Sequence, residues 1–397
     1  MIKNIRFSYY KIFKNEQTLS LKPVTVIFGK NNSGKSAVLK LPSIMQSALN
    51  SQSTDFLDSE WRKKHIKDMR SLVYKRVNRA VSLLFEDEKE NYLDISFFIN
   101  KKNNEDDYCS KIEHWIAKNE NGKVGLEPGM DDELHDFETK NPIHGIHFNG
   151  VMPNVDKYRL FAEPILKSLK SNIDYIGSFR WRPEMFITDE FKHSEDNDGH
   201  INYQFLYDDS KTVNQELLKK VSQWYENNFN GWKIKVNRDR NPVYSIEIEQ
   251  AEKLTINIVD AGVGIAQSLP IVTRACRTCD EPTIIVLEEP ETHLHPAAHG
   301  NLAELIALST KNDCNKSYLV ETHSINFILR LRRLIAEGKL SVDDVALYSV
   351  EFDENECCSK LVSVEINKDG SVNYWPEGVF EETLAESIAI FEAQNKV

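Results

Sequence analysis

The sequence predicts an α/β fold built on a parallel sheet, and three observations lead to this prediction. Three short apolar runs, residues 24–28, 283–287 and 317–320, have the length and composition of buried strands. Each run ends in glycine, glutamate or histidine residues, and helix-like sequence follows the first and third runs. Because ligand sites in parallel sheets lie beyond the carboxyl ends of the strands, these endings are predicted to carry the chemistry.

Composition limits the class of protein. With 397 residues, of which 41% are hydrophobic, the chain can form one large core or two smaller ones. No apolar run approaches the length of a membrane span, and residues 1–4 lead straight into strand-like sequence rather than a signal peptide. We therefore expect a cytoplasmic protein with no membrane partner. A net charge of −12 disfavours DNA binding by overall charge, whereas a local basic patch would leave DNA contact open.

The first apolar run is followed by a phosphate-binding motif. Residues 29–36, G-K-N-N-S-G-K-S, fit G-x-x-x-x-G-K-[S/T], with a strand before them and a helix after them. Gly29 and Gly34 allow close backbone approach, Lys35 would reach the β- and γ-phosphates, and the Ser36 hydroxyl would hold Mg²⁺. The sequence therefore predicts nucleotide binding, with Lys35 catalytic and Ser36 a metal ligand. The predicted nucleotide-binding residues of this loop are Gly29, Asn31, Asn32, Ser33, Gly34, Lys35, Ser36 and Ala37.

The second apolar run ends in a pair of carboxylates, Glu288 and Glu289. P-loop enzymes place a Mg²⁺ ligand where a parallel strand ends, so Glu288 is predicted to coordinate the metal directly or through water. Glu289, one residue further, is predicted to orient or deprotonate the attacking water. An ordinary acidic strand end is the alternative, which the P-loop in the same chain disfavours.

The third apolar run ends in Glu321-Thr322-His323-Ser324. A histidine at the tip of a neighbouring strand can donate a hydrogen bond to the γ-phosphate and so respond to its presence. A histidine after a strand is usually structural when it occurs alone. Its occurrence after a P-loop and an acidic strand predicts that His323 is catalytic.

Together the motifs resemble those of a known family. The segments G-K-N-N-S-G-K-S, L-E-E-P-E-T-H-L-H-P and E-T-H-S are similar to those of ABC-type ATPases of the SMC, RecF and OLD group, over residues 1–50 and 250–335. The resemblance implies an ABC-type P-loop NTPase core with an N-terminal β-subdomain and an inserted helical and β lobe. It also implies ATP and Mg²⁺ as cofactors, and a head-to-tail homodimer or higher homo-oligomer. His293 and His295 are then expected to be interface and packing residues rather than metal ligands.

A segment that caps the ATP of the opposite subunit lies before the acidic strand in this family. Residues 259–270, V-D-A-G-V-G-I-A-Q-S-L-P, resemble the D-x-G-x-G-x-S-Q-x-L-P version found in stand-alone OLD-like ATPases. Gly262 and Gly264 are expected to offer backbone N–H groups to an anion ahead of a helix from Gln267. Ala266 replaces a serine that these relatives often carry, and a plain glycine turn is the alternative. Members of the family also have a glutamine, in the Q-loop, that helps to hold Mg²⁺. No residue is assigned to this role here, because Gln46 lies too close to the P-loop helix.

The rest of the chain is less specific. Residues 51–90 are predicted to be mostly helical, and residues 187–200 to form an acidic loop. The charged stretch 100–142 is either a solvated surface excursion or a partner-binding insertion. Arg180 and Arg182 either approach a phosphate or nucleic acid or are exposed at a strand end. The six cysteines, including the C-x-x-C pair at 276 and 279, are expected to hold no structural metal.

The predicted organisation follows from these assignments. The expected segments are 1–50 (first half of the ATPase core), 51–250 (inserted lobe), 251–335 (second half of the core) and 336–397 (C-terminal β/α tail). No Toprim-type pattern of a glutamate and D-x-D follows residue 335, so the chain resembles the ATPase of the OLD group without the nuclease. The resemblance implies an ATPase that regulates a separately encoded effector, a nuclease or toxin, in anti-phage defence. A RecF-like DNA-repair ATPase that clamps on DNA, and an ATP-bound scaffold with little turnover, are the alternatives.

Overall fold

The computed structural model describes residues 1–101, 108–130, 133–188, 198–240, 242–251, 253–380 and 382–394. The strands are β1 (Ile2–Ser8), β2 (Gln17–Ser20), β3 (Val24–Gly29), β4 (Val81–Asp87), β5 (Tyr92–Lys101), β6 (Tyr108–Asn119), β7 (Gly122–Pro128), β8 (Leu134–Asp136), β9 (Phe148–Asn149), β10 (Met152–Pro153), β11 (Asn172–Ile176), β12 (Ile187–Thr188), β13 (Trp232–Arg240), β14 (Val243–Gln250), β15 (Leu254–Asn257), β16 (Thr283–Glu288), β17 (Lys316–Glu321), β18 (Val345–Asp353) and β19 (Cys358–Val364). The α-helices are α1 (Lys35–Leu39), α2 (Leu41–Asn50), α3 (Ser59–His65), α4 (Asp156–Leu169), α5 (Ile201–Ser210), α6 (Glu216–Asn228), α7 (Val263–Cys276), α8 (Pro296–Asn312), α9 (Ile325–Ala336) and α10 (Glu382–Gln394). Within the described ranges, no helix is both long enough and apolar enough to cross a bilayer.

The chain divides into two compact units, each built from separate stretches. The first comprises Met1–Lys22, Gly29–Ile173 and Tyr348–Ser363. The second comprises Pro23–Phe28, Asp174–Leu347 and Val364–Val397. The boundary at the end of β3 assigns the loop that begins at Gly29 to the first unit.

The first unit is organised by an antiparallel sheet in the order β2-β1-β4-β5-β6-β7-β8. Buried residues alternate with more exposed ones along these strands, and Phe85 of β4 pairs with Leu93 of β5 on the buried face. Trp115 of β6 is fully buried, and its ring meets that of Tyr158 from α4 edge to face with centroids 6.2 Å apart. Its indole Nε1 donates to the Val151 carbonyl at 2.9 Å, which satisfies the polar atom of the ring.

The prediction that residues 51–90 are mostly helical was wrong, and the charged stretch 100–142 contains strands that the sequence did not predict. Residues 51–90 contain only the short helix α3, two 3₁₀ turns and the strand β4. The described residues of the charged stretch 100–142 form strands β6, β7 and β8 of the sheet, and residues 102–107 and 131–132 lie outside the described part. Charged residues fit a strand that is buried on one face, because alternate side chains point to solvent. Composition therefore concealed a regular element.

A buried carboxylate holds the outer part of this sheet to α4. Asp136 at the end of β8 is 3% exposed, and its Oδ2 accepts hydrogen bonds of 2.6 Å from both Lys157 Nζ and Tyr158 OH. Its Oδ1 accepts from the backbone N–H of Thr139 at 2.8 Å. Burial alone would raise the pKa of Asp136, but the hydrogen bonds outweigh burial and hold this pKa below its ordinary range.

We expect Asp136→Asn to lower the free energy of unfolding at pH 7 by about 1–3 kcal/mol, because the amide loses the charge-assisted bonds. The folded-state pKa lies below the unfolded-state value, so the carboxylate stabilises the fold fully above about pH 5 and progressively less as the pH falls. Urea denaturation should therefore separate the two proteins more at pH 7 than at pH 3.5. Asp156→Asn is the matched control, because that carboxylate is 76% exposed. A difference that is constant with pH would contradict the assignment.

The second unit contains the predicted parallel strands. β16, β17 and β3 are parallel neighbours in that order, with Glu288 beside Glu321 and Glu321 beside Ile27. β11 lies on the other side of β16, and the Val24 N–H donates to the Asp344 carbonyl at 2.9 Å, just before β18 begins. A smaller antiparallel sheet joins β12, β14 and β13, with β15 paired to β14.

The C-terminal segment completes the core of the second unit. Phe28 of β3 stacks on Trp375 with ring centroids 5.3 Å apart and on Phe380 at 6.0 Å. Trp375 and Phe380 therefore pack against the strand that leads into the P-loop. The architecture agrees with the predicted α/β, ABC-type P-loop core. It has the parallel strands of the second unit, the antiparallel sheet of the first unit and the P-loop.

Candidate functional site

The P-loop lies in the first unit, and its two glycines cannot carry a side chain. Gly29 has φ 142° and Gly34 has φ 105°, both in the region that disfavours other residues. A Cβ at Gly29 would lie 2.5 Å from the Val350 carbonyl oxygen, and one at Gly34 would lie 2.5 Å from Ile12 Cγ2. The glycines of the motif are therefore required by the packing of the loop itself.

The lysine of the P-loop points back towards the loop backbone. Lys35 is 4% exposed, and its Nζ donates to the carbonyl oxygens of Gly29 at 3.2 Å and Lys30 at 2.9 Å. Ser36 is exposed, as are Asn31 and Asn32, whereas Ser33 is buried. Lys35, which is predicted to bind phosphate, therefore lies against the backbone of the loop that is predicted to bind the same phosphate.

The two predicted catalytic residues meet at the carboxyl edge of the second unit's parallel sheet. Glu289 follows β16, and its N–H donates to the Glu321 carbonyl at 2.8 Å. Glu289 Oε1 lies 3.8 Å from His323 Nε2, and both side chains are about one-third exposed, at 38% and 35%. The parallel register of β16 and β17 produces this pairing, since it brings the two strand ends side by side. One ligand atom from each of Glu289, Glu321 and His323 lies within 4.8 Å of the others, a spacing that a cation could bridge.

Glu289 has an unusual backbone conformation. Its φ is 44°, in the left-handed region that costs a non-glycine residue about 1 kcal/mol. Thr292 supports this conformation, because its N–H donates to the Glu289 carbonyl at 3.0 Å and its Oγ1 donates to Glu289 Oε2 at 3.1 Å. Strained backbone that the surroundings hold in place is common at functional sites.

The end of β11 and the segment that follows it contact the acidic pair, and neither was predicted to do so. The Tyr175 hydroxyl donates to Glu288 Oε1, and the Ser178 N–H donates to Glu288 Oε2 at 3.3 Å. Nη2 of Arg180 donates to the carbonyl oxygens of Glu288 at 2.8 Å and Glu289 at 2.7 Å. Arg180 is only 6% exposed, which corrects the interpretation that it is an exposed strand-end arginine, whereas Arg182 is exposed.

Burial lowers the pKa of Arg180 to about 10, against the opposing effect of Glu291, Glu289 and Glu288. The guanidinium therefore remains charged at neutral pH. The signal in the sequence was an arginine shortly after a strand, and that position alone does not indicate whether the residue faces solvent or the edge of the sheet.

The third carboxylate of the acidic segment, Glu291, connects neighbouring strand ends through hydrogen bonds. Glu291 is buried, and its Oε1 accepts from Thr322 Oγ1 and from the His323 N–H, both at 2.7 Å. The Thr322 N–H in turn donates to the Ile27 carbonyl of β3 at 3.1 Å. Burial raises the pKa of Glu291, although the hydrogen bonds from Thr322 and His323 oppose that effect. This network fixes the backbone that carries His323.

The segment that resembles the ABC signature forms the start of α7. The helix begins at Val263 rather than at Gln267, so Gly262 is its N-cap and Gly264 lies in the first turn. A Cβ at Gly264 would lie 2.4 Å from the His293 carbonyl oxygen, whereas nothing lies within 4 Å of a Cβ at Gly262. Ala266 is buried, and its carbonyl accepts a hydrogen bond from Tyr203 OH at 2.8 Å.

The two histidines of the adjacent loop are separated in role. His293 is exposed and has φ 68°, and its carbonyl packs against Gly264. His295 caps α8, where its Nδ1 accepts from the Ala297 N–H at 3.3 Å. The backbone of His293 therefore packs against α7 and the side chain of His295 caps α8, while the expected interface role of both residues stays a prediction.

A strand, a P-loop and a helix, with carboxylates at the ends of neighbouring parallel strands, define the fold class of P-loop ATPases. Residues 24–330 match the family model described as "AAA domain, putative AbiEii toxin, Type IV TA system". Because this match covers more than half of the 397 residues, the chain belongs to that family. Residues 340–387 match a second model, described as a protein of unknown function, DUF3696.

Comparison with solved structures finds heads of SMC proteins. One is an SMC head bound to the C-winged helix domain of ScpA, at 15% identity and TM-score 0.48, covering 92% of this chain and 98% of that one. The SMC head domain from Thermotoga maritima is 12% identical, with TM-score 0.42 and coverage of 92% and 99%. The Pyrococcus furiosus Smc head with an extended coiled coil, bound to the C-terminal domain of ScpA, is 13% identical, with TM-score 0.45 and coverage of 99% and 99%. Likenesses at this level carry no functional information, and no curated protein matches the chain.

The contact between α7 and the His293 loop makes a testable distinction between the two glycines. We expect Gly264→Ala to destabilise the protein by about 1–3 kcal/mol, because the new methyl group collides with a backbone carbonyl. Gly262→Ala is the matched control and should lower the melting temperature less, since its Cβ meets open space and only the preference for glycine over alanine at the N-cap is lost. Equal melting temperatures for the two variants in thermal denaturation would refute the contact.

Proposed function

We propose that the chain is an Mg²⁺-dependent ATP hydrolase whose ATP-bound copies associate head to tail. The observation that carries the proposal is the pairing of Glu289 with His323 at one edge of the parallel sheet. The third strand of that sheet, β3, leads without a break into the P-loop. The family match supports the same class, since its description begins with an AAA domain.

The residue types suit ATP and Mg²⁺. Gly29 and Gly34 leave no room for a side chain, so the loop has the bare backbone that a phosphate cradle needs. The Ser36 hydroxyl and the Glu288 carboxylate supply oxygen ligands, which Mg²⁺ prefers. When bound, the metal would neutralise phosphate charge as it builds up during transfer.

The chain's own groups then have distinct roles in the proposed reaction. Lys35 neutralises the β- and γ-phosphates, and His323 donates a hydrogen bond to the γ-phosphate. Glu289 orients the attacking water and accepts its proton, with in-line displacement of ADP. Backbone N–H groups of the P-loop bind the phosphates, and those of Gly262 and Gly264 bind the ATP of the opposite copy. Hydrolysis would release that association, so ATP occupancy acts as a switch.

The proposed mechanism can be tested by comparing Glu289→Gln with the wild type and with Lys35→Ala. Glu289→Gln should lower kcat by about 10²–10⁴-fold, because the water loses its base, while ATP still binds. Its mass in ATP and Mg²⁺, measured by light scattering, should then shift to that of a dimer or a larger assembly. Lys35→Ala should lose ATP binding and therefore remain small under the same conditions. Unchanged turnover in Glu289→Gln would show that Glu289 is not the base.

We further propose that this ATPase regulates a separately encoded effector, a nuclease or toxin, in anti-phage defence. Two points support this role: the resemblance to stand-alone OLD-like ATPases, and a family description that names a toxin of a type IV toxin–antitoxin system. The same description favours a second candidate, in which the chain is itself the toxic component.

Expression of the chain alone in a bacterial host separates these two candidates. A regulator of a separate effector should leave growth unchanged, whereas a toxin should arrest it within a few generations. Lys35→Ala is the control, because loss of ATP binding should abolish any arrest that depends on the ATPase. Arrest by the wild-type chain alone would overturn the regulator proposal, and growth together with a co-purified partner would support it.

A further inference from the structure

We propose that Arg180 is a positioning residue that holds the backbone of Glu289 in its left-handed conformation and so places the base of the reaction. This inference rests on the proposed ATPase function, but the contacts that support it are independent of that function. No sequence motif of the P-loop, the acidic strand or the histidine segment includes Arg180.

The contacts of Arg180 are with the backbone of the acidic pair. A single nitrogen, Nη2, donates to the carbonyl oxygens of Glu288 and Glu289 at 2.8 and 2.7 Å. The carbonyl of Glu289 also accepts from Thr292, and its N–H donates to Glu321 at 2.8 Å. The peptide groups on both sides of Glu289 are therefore hydrogen-bonded, which is the condition for keeping a residue at φ 44°.

Burial argues against the alternative that Arg180 is a phosphate or nucleic acid contact. The side chain is 6% exposed, and its Nη2 already donates to two carbonyl oxygens, so little of the guanidinium is accessible to an external anion. Burial of a guanidinium is costly, so a side chain that served stability alone would be better replaced by an apolar one. The positive charge of Arg180 lies beside the carbonyl oxygens of Glu288 and Glu289 and polarises both groups.

The neighbouring residues extend the same support to Glu288. The Tyr175 hydroxyl and the Ser178 N–H donate to the two carboxylate oxygens of Glu288. Residues 175–180 therefore fix the side chain of Glu288 and, through Arg180, the backbone of Glu289. A single strand end thus orients both carboxylates, and Arg180 is the part that acts on the base.

The test compares Arg180→Met with the matched control Arg182→Met, which removes an exposed arginine two residues away. Misplacement of a catalytic group by about 1 Å costs about 10²-fold, so kcat for ATP should fall by about that factor in Arg180→Met. The KM for ATP should stay within about threefold of the wild-type value, because the P-loop is untouched. Arg180→Lys should recover part of kcat, since an ammonium group can still donate to one carbonyl.

A double-mutant cycle distinguishes positioning from a general structural role. If Arg180 acts through Glu289, adding Arg180→Met to Glu289→Gln should leave the residual rate unchanged. A further fall in the double variant, or a kcat for Arg180→Met equal to that of Arg182→Met, would overturn the proposal. If Arg180→Met does not fold, the same cycle is run with Arg180→Lys.

Hydrogen exchange gives a readout that does not depend on turnover. Amide exchange in residues 288–292 should accelerate at least tenfold in Arg180→Met and stay at the wild-type rate in Arg182→Met, because the carbonyl bonds are lost only in the former. Unchanged exchange would overturn the proposed positioning role of Arg180 even if the protein hydrolyses ATP. If the wild type shows no turnover but exchange is accelerated in Arg180→Met, the ATPase proposal is refuted and the hydrogen-bonding role of Arg180 is retained.

Discussion

The parallel register of β16, β17 and β3 is the constraint on which the candidate site depends. Glu288 lies beside Glu321, and Glu321 lies beside Ile27, so the three strands end at one edge. The P-loop follows β3, Glu289 follows β16 and His323 follows β17. A shift of one residue in either pair would turn every side chain of that strand to the other face. Such a shift would disrupt side-chain packing on both sides of the sheet, because all three strands are buried on both faces.

A hydrogen-bonded layer converts this register into fixed positions for the functional groups. Glu291 holds the turn that carries His323, and Thr322 holds that turn to β3. On the other side, Tyr175 and Arg180 hold the acidic pair. These groups are mostly buried, so their hydrogen bonds are stronger than they would be in water. The partly exposed side chains of Glu289 and His323 are thus attached to backbone that hydrogen bonds hold in place.

Local patterns predicted the elements whose signals are local. The apolar runs of β3, β16 and β17 were predicted nearly to the residue, as was the order of strand, P-loop and helix at residues 24–39. The strands within 100–142 were not predicted, because charged residues lie between the buried ones and dominate the composition. The buried state of Arg180 was not predicted either, because its hydrogen-bond partners are distant in sequence. No periodicity marks an arginine whose partners are carbonyls more than a hundred positions away. Helix α5 was likewise missed, since its buried face is formed by tyrosines that also suit strands.

The second unit is built from stretches that are far apart in the chain, and this has a consequence for synthesis of the protein. Strand β3 is complete by residue 29, but its parallel neighbour β17 ends at residue 321. At ribosomal rates, roughly 15 to 60 s pass before that partner emerges. During this interval the V-T-V-I-F run is an unpaired apolar segment on a nascent chain, which is the kind of segment that chaperones bind and that aggregates when left exposed. Strand β3, which leads into the P-loop, is thus synthesised early but can pair with β17 only late in synthesis.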